Sequence, residues 1–239
     1  MMRKLLGIIL LALAALPVCA GNPASVPEPI LTYLQARAEQ DKTRYKVDVI
    51  ITASIPSLGK RGKFRATRRQ EADGRFVYEA MDFEGDSLVK TNVIARYLSA
   101  EIQAQKPEEK MATQISPANY EFKLKGHEWV DGREVLVYQV KPLKKRPGLF
   151  SGQIWLDAVT RQPLQEAGKL AKLPSIWLKE ITFKRLYTAA HGRTVPSRIV
   201  SEIKTRIVGK AQVTVEFENY RVLDETVSAT DNANSPITQ

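Results

Sequence analysis

A period of two constrains this chain more than any other feature. Tyr45, Val47, Val49, Ile51, Ala53 and Ile55 alternate with Lys46, Asp48, Ile50, Thr52 and Ser54. That is the pattern of a long half-buried strand. Shorter strands follow at Phe64 and Ala66 and at Phe76, Tyr78 and Ala80. The second half is almost all strand: Tyr120 to Leu124, Val135 to Val140, Gln153 to Asp157, Pro163 to Lys172, Trp177 to Tyr187, Val195 to Val208 and Ala211 to Tyr220. Asp73-Gly74 and Asp131-Gly132 are hairpin signals, because such pairs supply the positive φ angles tight turns need. His191-Gly192 marks a further turn. Strands and turns at this spacing predict a mainly β chain with a few helices (α+β), built on one large, strongly curved antiparallel sheet.

Two segments break the period. Ser25-Val26-Pro27-Glu28 has the makings of a helix start, with Ser25 to cap, Glu28 to reach back and Pro27 where a missing N–H costs nothing. Ile30, Leu31, Leu34 and Ala38 then recur at helical spacing, which predicts a helix from Pro27 to Gln40. After Gly85-Asp86-Ser87, the residues Val93, Ile94, Tyr97, Leu98 and Ile102 form one apolar stripe of a second helix. Gln105 to Asn119, with two prolines and mixed charge, reads as a loop. So few helices cannot make a core of their own. Two or three of them laid across the concave face of the sheet is the economical arrangement.

The termini read differently. Arg3 and Lys4, an apolar run from Leu5 to Leu16, Pro17, and Val18-Cys19-Ala20 before Gly21 have the three-part layout of a cleavable export signal over residues 1–20. The run is too short for a membrane span, which needs about 20 residues. Leu16-Pro17-Val18-Cys19 also resembles a lipoprotein cleavage motif, with Val18 where a small residue is usual. Cleavage after Ala20 is therefore the reading, and a lipid anchor on Cys19 the alternative. Cleavage removes the single cysteine and leaves one domain over residues 21–223, large enough for a sizeable core. Residues 224–239 are polar and read as a disordered tail. Loss of Arg3 and Lys4 lowers the formal charge from +10 to +8, an excess that suits an anionic partner or simply solubility.

Catalytic signatures are missing. There is no G-x-S-x-G elbow, no H-E-x-x-H or C-x-x-C spacing and no glycine-rich phosphate loop. His127 and His191 fall at or near hairpin turns. The expectation is a protein that is not an enzyme and uses no metal or cofactor. Two basic clusters stand out: Lys60, Arg61, Lys63, Arg65, Arg68 and Arg69, and then Lys141, Lys144, Lys145 and Arg146. On a strand, Lys63, Arg65 and Thr67 share one face while Phe64, Ala66 and Arg68 share the other. A solvated face competes here with attraction to an anionic membrane surface or an envelope protein, for which Lys60, Arg61, Lys63, Lys144, Lys145 and Arg146 are the candidates. Export argues against nucleic acid. A curved sheet with few helices leaves room for an apolar cavity. Val47, Val49, Ile51, Phe76, Tyr78, Ile94, Leu98, Phe122, Ile181, Phe183, Ile203, Val215 and Phe217 are candidates to line it, each weighed against plain core packing.

Three stretches carry a family likeness. Gly132-Arg133-Glu134-Val135-Leu136-Val137-Tyr138, Gln153-Ile154-Trp155-Leu156-Asp157-Ala158-Val159-Thr160-Arg161-Gln162-Pro163-Leu164 and Gly192-Arg193-Thr194-Val195-Pro196-Ser197-Arg198 are strand-and-turn motifs. With the order of elements, they resemble the LolA-like family of periplasmic outer-membrane lipoprotein-sorting proteins and RseB-type sensor domains. The likeness runs from Tyr45 to Val222; Lys144 to Phe150 looks particular to a subgroup. It implies an incomplete β-barrel with helices as a lid over an apolar cavity for acyl chains, and no catalytic residues. The implied function is a periplasmic carrier of lipid or lipoprotein, and the expected state of the chain is a monomer. A non-transporting envelope sensor that recognises a protein or lipid signal is the alternative.

Overall fold

The computed structural model of the chain describes residues 26–223. The expected export signal, Cys19, the Ser25 cap and the expected tail over residues 224–239 lie outside them.

The period of two becomes a single open sheet of ten antiparallel strands. Helix α1 (Glu28–Lys42) leads into β1 (Tyr45–Ile55), β2 (Lys60–Gln70) and β3 (Phe76–Gly85). Asp86 caps the next helix by accepting the Leu88 N–H at 2.8 Å. That helix runs as α2 (Ser87–Val89), a π-turn over Lys90–Ile94, and α3 (Ala95–Ala104). A short α4 (Pro107–Thr113) follows, then β4 (Tyr120–Val130), β5 (Arg133–Pro142), β6 (Phe150–Asp157), β7 (Pro163–Leu170), β8 (Leu178–Ala190), β9 (Arg193–Thr205) and β10 (Lys210–Val222). Their order across the sheet is β3-β2-β1-β10-β9-β8-β7-β6-β5-β4, which among the described residues leaves β3 and β4 as free edges. Among the described residues no helix is long and apolar enough to cross a membrane.

Asp131-Gly132 and His191-Gly192 both take positive φ (49° and 75°, 50° and 70°), as two-residue hairpins demand. Asp73-Gly74 differs. It sits in a longer turn in which only Gly74, of the two, has positive φ, at 77°. Another departure is α4, inside the segment read as a loop. Pro107 opens it, where proline is tolerated, and the Asn119 side chain donates to the Met111 and Gln114 carbonyls at its end. Leu31 and Ile102, counted in the helical stripes, are exposed.

The sheet curls because its strands are interrupted. Ala80 and Met81 together oppose Ala66, Lys125 is an extra residue between Leu124 and Gly126, and Asn219 disturbs the β10 register opposite Val47. Such bulges bend a strand and raise its twist. One residue reports the result. The Gln40 side chain donates to the Thr194 carbonyl of β9, while the Gln40 backbone carbonyl accepts from the Gln70 side chain of β2 at 3.0 Å. Those strands are three spacings apart, about 14 Å along a flat sheet, so the sheet must wrap the end of α1.

Two apolar cores form inside the curve. In the first, Val47, Val49 and Ile51 of β1 pack with Phe64 of β2, Val213 and Val215 of β10, and Val89, Ile94 and Leu98 of the helical arm. In the second, Ile30 and Tyr33 of α1 pack on Tyr120, Tyr138, Val140, Phe150, Ile154 and Leu156. Each fully buried side chain of this size contributes about 1.5–3 kcal/mol.

Candidate functional site

A hollow of about 720 Å³ is walled by Tyr120 and Phe150 of the second core and by Tyr97 and Ile199, which pack against the first. That volume is within the range of about 300–1,000 Å³ typical of small-molecule sites. Leu34 comes from α1, Phe76 from β3, Tyr120 from β4, Phe150 from β6, and Ile181 and Phe183 from β8. The aromatic wall is tightly built. Phe183 meets Phe150 edge-on with centroids 5.0 Å apart, and Tyr120 lies 5.6 Å from Phe150. Ile181, Phe183, Arg185 and Tyr187 alternate along β8, so the same inward face that supplies apolar groups also delivers a guanidinium and a phenol.

The polar groups form two networks. Glu166 of β7 is fully buried. Its Oε1 accepts from the Tyr33 hydroxyl at 2.6 Å, the Tyr187 hydroxyl at 2.5 Å and Arg37 Nη1 at 2.8 Å. Its Oε2 accepts from Arg185 Nη1 at 2.9 Å. Burial pushes the Glu166 pKa up, but the charges of Arg37 and Arg185 and the two hydroxyls outweigh it and hold the carboxyl below its ordinary value. In the second network Glu101 of α3 accepts from the Tyr78 hydroxyl at 2.5 Å and the Tyr97 hydroxyl at 3.2 Å. Burial, and then the carboxylate, raise both phenols, which therefore stay protonated donors at neutral pH. A smaller annex of about 190 Å³ shares Arg37, Asp41, Arg68, Gln70, Glu101, Arg185 and Ile199 with the main hollow.

The sequence candidates divide on this geometry. Phe76, Ile181 and Phe183 line the hollow and Phe217 lines the annex. Val47, Val49, Ile51, Ile94, Leu98 and Val215 are buried in the first core and line neither space; Tyr78 and Ile203 pack against that core, and Phe122 against the second. The two basic clusters are not neighbours in the sheet: five strands separate β2, which carries Lys60, Arg61 and Lys63, from β6, which follows Lys144, Lys145 and Arg146. Lys60 pairs with Asp86 at 3.2 Å and Arg146 with Glu109 at 2.8 Å. His127 lies within β4 beside the bulge rather than at a turn, and its Nδ1 is 2.6 Å from Glu134. Among the described residues no group of three or more His, Cys, Asp or Glu side chains could hold a metal ion. Arg37, Glu166, Arg185, Tyr187 and Glu101 went unread in the sequence, although Arg185 and Tyr187 continue the period of Ile181 and Phe183.

No family model and no curated protein matches the chain. Solved structures do resemble it. A LolA superfamily protein from Nitrosomonas europaea is similar at a TM-score of 0.39 and 10% identity, over 80% of this chain and 94% of that one. A DUF1329 family protein from Desulfovibrio piger is similar at 0.44 and 14% identity, over 85% and 96%. A putative outer membrane lipoprotein-sorting protein domain from Vibrio parahaemolyticus is similar at 0.41 and 11% identity, over 81% and 92%.

Proposed function

We propose that this chain is a periplasmic binding protein that shields the acyl chains of a lipid or lipoprotein in the hollow, as a carrier for outer-membrane lipoprotein sorting. The observation that supports it is the 720 Å³ space walled by Leu34, Phe76, Phe150, Ile181 and Phe183 on the inner face of a sheet that does not close. The work such a wall does is simple. An acyl chain in water is disfavoured by about 0.8 kcal/mol per exposed CH₂, and an aliphatic and aromatic lining removes that cost. The export signal read over residues 1–20 supplies the compartment. The helical arm 87–104 and α4 are the elements that would shift to admit cargo. Lys144 and Lys145, exposed and with no carboxylate within 4 Å among the described residues, would orient the molecule on anionic headgroups.

The test is to purify the chain without detergent, weigh it by native mass spectrometry and titrate it with a fluorescent fatty acid. Near-stoichiometric acyl species, or saturable probe binding lost in a folded Phe183→Glu variant, support the reading. A clean apo mass together with no probe binding ends it, and a stoichiometric protein partner from envelope extract would then favour a sensor.

A further inference from the structure

An acyl chain needs only the apolar wall, yet the hollow also carries buried positive charge. Arg68 points inward from β2 in the same period as Phe64 and Ala66, and is only 8% exposed. Its guanidinium carbon lies 4.7 Å from the centroid of Phe76 and 5.0 Å from that of Phe217. One nitrogen, Nη2, donates to the Tyr45 hydroxyl at 3.0 Å. Its Nε is buried without a partner, and among the described residues no carboxylate lies within 4 Å of the group. Glu101, whose charge it senses, is already held by two tyrosine hydroxyls. Arg185 repeats the pattern in part: Nη1 is spent on Glu166, while Nε is buried and unpartnered.

Arginine cannot shed its proton to escape burial. A desolvated cation with no hydrogen-bonded counter-ion is unfavourable, and buried charges are ordinarily paired; the Glu101 carboxylate acts on Arg68 only from beyond 4 Å. Aromatic faces compensate only in part. The annex holds three guanidinium groups, Arg37, Arg68 and Arg185, against two carboxylates, Asp41 and Glu101, together with the Tyr45 and Tyr187 side chains, and its 190 Å³ is several times the share of one water, about 30 Å³.

We propose that this annex seats the anionic head of an amphipathic ligand, a carboxylate or phosphate bound by Arg68 and Arg185, with the acyl tail along Phe150 and Phe183. This rests on the acyl-binding reading and adds a head specificity to it. A planar guanidinium fork suits both oxyanions, and charge-assisted bonds to it are roughly twice as strong as neutral ones.

Palmitate, hexadecyl phosphate and hexadecanol share a tail and differ in head. Each is used to displace a fluorescent fatty acid from the full chain at neutral pH. The expected result is displacement by one or both anions at about tenfold lower concentration than by the alcohol. That preference should collapse toward one in Arg68→Gln and persist in Lys123→Gln, which removes an exposed charge from β4. The larger gain of the two anions names the head. Should Arg68→Gln fail to fold, Arg68→Lys and the wild-type ratio decide. Equal displacement by all three, or an unchanged preference in the folded Arg68 variant, overturns the headgroup site and leaves the acyl reading standing. Failure of all three, with no probe binding to displace, removes both.

Discussion

Glu166 and Arg68 are both buried and both line up with the inward side of the sheet, but their surroundings differ. Each oxygen of Glu166 is met by a guanidinium, whereas Arg68 has aromatic rings and a hydroxyl. Removing the Glu166 charge leaves Arg37 and Arg185, each about a third exposed, without their counter-ion, so Glu166→Gln should destabilise the fold by about 1–3 kcal/mol in urea titration. The same carboxyl makes stability pH-dependent. Its folded pKa lies below its unfolded one, so its contribution is present above the ordinary carboxylate pKa and lost as pH falls through the lowered folded value. Glu166→Gln should therefore show a shallower acid decline than the wild type. Arg68→Met should cost less than Glu166→Gln in the ligand-free protein, about 1 kcal/mol, because it strands no hydrogen-bonded carboxylate and frees only the Tyr45 hydroxyl. The sequence placed Arg68 correctly, on the face of Phe64 and Ala66. It could not place Glu166, since Leu164 is an extra residue where Trp155 pairs with Gln165 and Leu156 with Pro163, and the alternation slips by one there.

At the scale of elements, strands were legible because burial on one face writes a period of two into the side chains. The β1 limits, Tyr45 and Ile55, are those the alternation gives. Helix α4 was not, for a physical reason: it buries none of its seven residues and so leaves no stripe. A second illegible feature is the closeness of β6 and β7. Gly152 pairs with Gly168, and a Cβ at Gly152 would come within 2.6 Å of the Gly168 Cα and collide with the Ala167 carbonyl. Backbone gives way less than a side chain tip. Gly152→Ala should cost about 3 kcal/mol or more, at the upper end for overpacking. The check is the shift in the urea midpoint beside Gly132→Ala, where φ is 75° but no atom lies within 4 Å and only backbone strain acts.

For the molecule as a whole, the sequence supplied the sheet and the helices across it, but not the hollow. A cavity depends on where two cores fail to meet. Its wall draws on α1, α3, β6, β8 and β9 together, and that convergence is not written in any single strand. The bulges that make the curl have one more effect. Two of them fall in β3 and β4, the strands with free edges, where Met81, Phe83, Leu124 and Trp129 are exposed. An unbroken edge with such side chains is a template on which another copy can add, strand by strand, until the product is a fibre. Ala80 and Lys125 spoil that template by one residue each. Deleting Ala80 should regularise β3, and light scattering at rising concentration should show assembly that the intact chain resists. On that outcome the residue that bends β3 also keeps a second copy from adding to its edge.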